Sequence, residues 1–317
     1  MFFSQGRLLT ACLCLALSGA LVGCQSTQNI QNISQPIPSL GQLVISEPLA
    51  PNFKNEVAVA RISDFLNSSE TTEEQKAKAF YDRGLLYDSF GLPSLARLDF
   101  SRALRIDPTM ASAYNFMGVH YTLLGQYNRA YEAFDATIEL DPKHQYAYLN
   151  RGIALYYGAK EKLALEDFEK FQSFDGTDPY RAIWRYLAAF KVDKLEAVKA
   201  LAKHRETIAP DAWALQVVDL FLMNISEQQF IDNLTGNITS QAALAERLCE
   251  AYFYLGIFVR QYEQPERSLN YFKLALATNV FEFVEHRYAR RELLETRLML
   301  HKKKLLESKQ TKDNDKT

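Results

Sequence analysis

Residues 111–144 read ASAYNFMGVHYTLLGQYNRAYEAFDATIELDPKH, and the same order of small and bulky positions stands 34 residues to either side. Gly84, Gly118 and Gly152 mark the period. Around them recur Phe80, Tyr87, Ala96, Phe100, Ala103 and Pro108 in the first unit, and Tyr114, Tyr121, Ala130, Phe134, Thr137 and Pro142 in the second. A fixed period of this length marks a stacked repeat. Small residues at Gly84 and Ala96 let two antiparallel helices approach, Phe80, Tyr87 and Phe100 fill the seam, and each proline ends a second helix. The third unit keeps Tyr148, Gly152, Ala164 and Phe168 but places Leu155 at the aromatic position and Phe171 at the small one. Gly176-Thr177-Asp178-Pro179 then alters the connection and phase slips by two, since Ala188 follows Gly152 by 36. The unit around Leu222 is degenerate, and the pattern returns at Tyr252, Gly256, Phe272 and Ala275.

This pattern resembles the tetratricopeptide repeat, TPR. The expected fold is all-α, a TPR superhelix of helix-turn-helix repeats over 55–306. Its repeats fall at 77–110, 111–144 and 145–178, with a degenerate stretch 181–248, a further repeat 249–282 and a C-terminal helix 283–306. Val57, Arg61, Ile62, Phe65 and Leu66 place an amphipathic N-terminal capping helix ahead of the array, because a solenoid needs its end faces covered. Thr71 to Glu74 and Ser226 to Gln229 have capping-box spacing. Composition agrees: 13 Gly and 10 Pro in 317 residues are too few for a turn-rich β protein. Thirty-six Lys and Arg against 38 Asp and Glu lack the basic excess of a nucleic-acid binder, so nucleic acid is excluded as a partner.

Met1 to Arg7 carry one positive charge, and an apolar run from Leu8 to Val22 follows. The run is too short to span a bilayer and reads as a secretory signal, residues 1–23. Leu21-Val22-Gly23-Cys24 resembles the bacterial lipobox, which implies a covalent lipid on Cys24 after cleavage. Gln25, in place of an inner-membrane retention Asp, implies a lipid-anchored outer-membrane location facing the periplasm. Residues 24–54, with four prolines and two charges, read as a flexible tether, and 307–317 as a disordered tail. With Cys12 and Cys14 in the signal and Cys24 acylated, Cys249 is alone in the body and reads as an inert core thiol.

Catalytic chemistry finds no constellation. The five histidines, 120, 144, 204, 286 and 301, show no metal-ligand spacing, so no metal or cofactor is expected beyond the lipid on Cys24. Glu285-His286-Arg287-Tyr288 is polar, but adjacent helical residues point apart, which favours separate structural contacts. The protein is not expected to be an enzyme. In a TPR array the concave face, lined by the first helix of each repeat, generally holds the partner. The register puts Tyr81, Leu85, Asp88, Asn115, Val119, Thr122, Leu149, Asn150, Ile153 and Tyr156 there, an apolar groove suited to a peptide or helix. The face stands equally open to the protein's own chain or a dimer mate. From Arg287 to Lys304 seven Lys and Arg interleave with leucines. Two readings stand: a helix that lies on anionic lipid or binds an acidic partner, and a terminal cap with a solvated face.

The stretches 149–158, 130–142, 224–228 and 283–288 are similar to the NlpI-type TPR lipoproteins of Gram-negative envelopes, a resemblance covering roughly 56–294. It implies a homodimeric adaptor, or scaffold, for periplasmic peptidoglycan endopeptidases and a PDZ-containing tail-specific protease, regulating hydrolase levels in cell-wall growth and division. The alternative is a structural envelope protein binding glycan or lipid without an enzyme partner.

Overall fold

Glycine packing against phenylalanine sets the helix pairs. In the computed structural model, which describes residues 43–314 apart from 211 and 263 and no side chain beyond 307, a Cβ built on Gly84, Gly118, Gly152 or Gly256 would sit 2.5–2.7 Å from the ring of the phenylalanine sixteen residues on. Those rings, Phe100, Phe134, Phe168 and Phe272, are wholly buried. Gly118→Leu is therefore expected to overpack the seam against Phe134 and cost about 1–3 kcal/mol. Lys143→Ala, at an exposed position, should stay within about 0.5 kcal/mol. Equal urea midpoints for the two variants would contradict this packing.

Among the described residues there are fourteen helices and no strand. Helix α1 (Phe53–Asn67) lies against the first pair, α2 (Glu73–Ser89) with α3 (Pro93–Ile106). The pairs α4 (Ala111–Leu123) with α5 (Tyr127–Leu140) and α6 (Gln145–Tyr157) with α7 (Glu161–Phe174) follow at the repeat spacing. The degenerate stretch holds α8 (Pro179–Val192), α9 (Lys194–Arg205) and the short α10 (Trp213–Phe221) and α11 (Glu227–Asp232). Regular pairing resumes with α12 (Gln241–Gln261) and α13 (Pro265–Ala277), and α14 (Val284–Asn314) closes the chain. The fold is the all-α TPR superhelix with its N-terminal capping helix.

Turns repeat as well as helices. Gly91 and Gly125 leave α2 and α4 at φ of 69° and 72°, where a side chain is strained, and Ala159 accepts the same left-handed geometry after α6 at 57°. Arg83 to Asp99 and Arg151 to Asp167 clamp the first and third pairs by bidentate ion pairs.

Three boundaries differ from the sequence reading. The expected tether 24–54 is docked from Leu43 on: the Leu49 amide donates to Thr278 (2.9 Å), the Tyr252 hydroxyl donates to the Val44 carbonyl, and Leu49 packs beside Ala245, Cys249 and Val280. Apolar Leu43, Val44 and Leu49 explain it: Leu43 and Val44 pack against the main core, and Leu49 beside Ala245 and Cys249 of α12. The tail expected to be disordered from 307 continues α14 to Asn314. The first capping box is Thr72 with Gln75, one residue later than expected, while Ser226 with Gln229 forms as expected. The signal 1–23 and Cys24 lie outside the described residues.

Candidate partner-binding surface

The concave face is not an open groove. Helix α14 lies in it, burying Glu285, His286, Tyr288, Ala289, Glu292, Leu293 and Thr296, which recur with helical spacing on one side. Tyr288 stacks on Tyr157 of α6 at 5.5 Å and meets Trp184 of α8 edge-on at 6.3 Å. Glu292 is fully buried and accepts hydrogen bonds from the Tyr157 hydroxyl (2.9 Å) and the Arg260 guanidinium of α12. At the first repeat, Arg287 reaches the Asp88 carboxylate at 2.6 Å. The residues Glu285 to Tyr288 thus diverge onto α12, the α13 end, α2 and α6.

This changes the groove residues proposed from the register. Asp88 is spent on Arg287, and Asn115 accepts from Asn150 at 3.0 Å in a buried bond between α4 and α6. Thr122 is buried and donates to Gly118, Val119 is buried, and Ile153 and Tyr156 belong to the main core. Tyr81 and Leu85 are half-buried against Ala96, Phe100 and Met117. Leu149 borders an open pocket next to α8 and α12, and Asp88 and Tyr156 border clefts along α14. The reason is the complementarity of α14, whose Tyr, Glu and Thr side chains match the aromatic and polar face opposite.

What stays open are clefts flanking α14, and two of them carry opposite charge. One, about 280 Å³, is lined by Tyr146, Leu149, Phe171, Tyr180, Trp184 and Phe283 with Asp178, Glu250, Glu282 and Glu285. Aromatic walls with a polar floor suit an extended peptide. The register could not find this pocket, because it joins the third repeat to the degenerate stretch and to α14. Its signal was the aromatic residue Phe283, which lies outside the repeat pattern.

The second cleft, about 410 Å³, lies between α2, α3 and α4 on one side and α14 on the other. Five arginines (97, 287, 290, 291, 297) and His120 and His286 line it, with Asp88 as its one acidic lining residue among those described. Burial pushes His120 down to about 4 despite Asp88, so the ring is neutral near pH 7.

In the acidic pocket, Glu250 accepts from the Tyr180 hydroxyl (2.7 Å) and the Trp213 indole (3.0 Å). Burial, reinforced by Glu285, nevertheless pushes its carboxyl up to about 7. Glu285, buried and held by the Tyr254 hydroxyl at 2.7 Å, is raised by burial as well. A carboxyl whose folded pKa is raised binds its proton more tightly in the native state, so stability is present at low pH and falls as pH rises from about 4.5 to about 7. Glu250→Gln should flatten that decline and raise the thermal midpoint above the parent's at pH 8. An unchanged slope between pH 5 and pH 8 would contradict the assignment.

Among the described residues no cluster of three His, Cys, Asp or Glu is placed to hold a metal. Cys249 is buried, and burial pushes its thiol far up.

A tetratricopeptide-repeat family model matches residues 111–144. Among solved structures, the chain is similar to MamA at 22% identity, over 48% of this chain and 88% of that one, with a TM-score of 0.43. A TPR protein from Parabacteroides merdae matches at 15% identity, over 77% and 99%, with a TM-score of 0.46. YrrB, described as a TPR protein with an unusual peptide-binding site, matches at 16%, over 75% and 99%, with a TM-score of 0.41. The chain thus carries a tetratricopeptide repeat at 111–144, set in an array of like helix pairs.

Proposed function

We propose that this chain is a lipid-anchored adaptor of the Gram-negative envelope, exported by residues 1–23, acylated on Cys24 and held at the outer membrane facing the periplasm. As a homodimer it docks peptidoglycan endopeptidases and a PDZ-containing tail-specific protease, and so sets how much hydrolase is present during wall growth and division. The lipobox and the similarity to NlpI-type lipoproteins support the location and the partners. The observation that carries an adaptor reading is the aromatic, acidic pocket beside α14, the part of the concave face that its own helix leaves open to a peptide. Tyr146 stands at its lip, 53% exposed and 6.0 Å from the Phe171 ring, a position where an aromatic anchor dominates binding energy.

The test uses the mature acylated chain in detergent with a purified endopeptidase and a purified tail-specific protease. Binding of at least one is expected, weakened roughly tenfold by Tyr146→Ala with helical content unchanged. Absence of binding to both enzymes would overturn the adaptor reading. Undiminished binding by Tyr146→Ala would place the partner elsewhere on the array. Sedimentation of both forms checks the dimer.

A further inference from the structure

Two features of α14 are not used in packing the array. The first is its outward face. Leu294 and Leu298 are 46% and 54% exposed, and their spacing of four residues puts them on one side of the helix. Arg290, Arg297 and Lys304, spaced by seven, flank this stripe on one edge, and Lys302 flanks it on the other, where Arg291 is largely buried and paired with Glu295. From Arg297 to Lys304 there are four cations and no carboxylate. The second feature is the basic cleft at the root of this face. His120, only 1% exposed, borders it with neither ring nitrogen hydrogen-bonded. Its Nε2 lies 3.3 Å from Asp88, which is already held by Arg287. Arg290 and Arg297 are exposed and pair with no carboxylate among the described residues.

An apolar stripe with cations on both edges matches a surface that is anionic in one plane and apolar just beneath it. Long Lys and Arg stems let the charges reach headgroups while the leucines enter the acyl boundary. A protein partner would need carboxylates matched to each of these spaced cations. A phospholipid layer supplies phosphate everywhere. No helix among the described residues is long and apolar enough to cross a membrane, so the contact lies on the surface. We infer that the outward face of α14 from Arg290 to Lys304 rests on an anionic phospholipid surface, with the basic cleft receiving one headgroup phosphate against Leu293 and Leu294. This attachment is separate from the lipid on Cys24.

The experiment uses the chain beginning at Gln25, which cannot be acylated at Cys24 and retains the whole unit Leu40–Thr317. Its co-sedimentation is measured with phosphatidylglycerol–phosphatidylcholine vesicles and with phosphatidylcholine alone. Partition onto the charged vesicles should be about tenfold or more the stronger, since each cation near such a surface contributes roughly fivefold. The double variant Arg297→Glu, Lys304→Glu and the single variant Leu298→Glu should bind charged vesicles no better than neutral ones. Lys199→Glu, the same charge change at an exposed site on α9, should have little effect. Arg97→Gln, altering only the cleft, should weaken partition about fivefold. No change there would overturn the headgroup assignment. Equal partition onto both vesicle types, or full binding by the double variant, would overturn the membrane face. So would failure of the parent to bind vesicles while Leu298→Glu turns a dimer into monomers, a result that would assign the face to a second copy of the chain.

Discussion

Glu292→Ala is expected to destabilise the protein by about 3–5 kcal/mol, because it leaves the Arg260 guanidinium in the interior without its counter-charge. Glu292 is 0% exposed and the Arg260 side chain 19% exposed, and the Tyr157 hydroxyl loses its acceptor in the same step. Breaking a buried pair costs more than never having it. The double variant Glu292→Leu, Arg260→Met should therefore recover most of the loss, since two apolar side chains of similar size need no solvation. Urea unfolding of the three proteins measures this. A loss below about 1 kcal/mol for Glu292→Ala would show that α14 does not hold that carboxylate against α12.

Ile153→Glu is the second large effect, expected at about 3 kcal/mol or more. Ile153 is 0% exposed within the main core, and a glutamate there has no partner to replace water. Leu85→Glu stands at a half-buried position of the same concave register and should cost much less. The contrast separates a groove from a core. If the face were open, both carboxylates would reach solvent and the two melting temperatures would fall alike. A drop confined to Ile153→Glu is the outcome that a filled face requires.

The repeat was legible because its chemistry is local. Gly84, Gly118, Gly152 and Gly256 each meet a phenylalanine sixteen positions on, so period and packing are one observation. Even the altered third unit kept Gly152 against Phe168. That the protein's own chain could fill the concave face was legible; that the segment from Val284 onward fills it was not. Tyr288 touches Tyr157 and Trp184 across more than a hundred residues, and no period links them. Asp88 and Arg287 are 199 residues apart, and nothing in the register pairs the groove residue with that cation. The residues between 43 and 52 read as a tether because prolines and sparse charge resemble a linker, yet Leu49 finds an apolar site beside Val280. The acidic pocket was hidden for the same reason, since Leu149 and Trp184 belong to different repeats and Phe283 and Glu285 to the closing segment.

Helix α14 is seated in the concave face over its first half and projects from it over its second. Native-state amide exchange across 284–306 reads this directly, because opening free energy follows tertiary packing rather than helix formation alone. Amides from Val284 to Thr296 are predicted to exchange as slowly as those of α12, and amides from Leu298 to Leu306 to exchange far faster. Fast exchange throughout α14 beside a protected α12 would contradict the filled face.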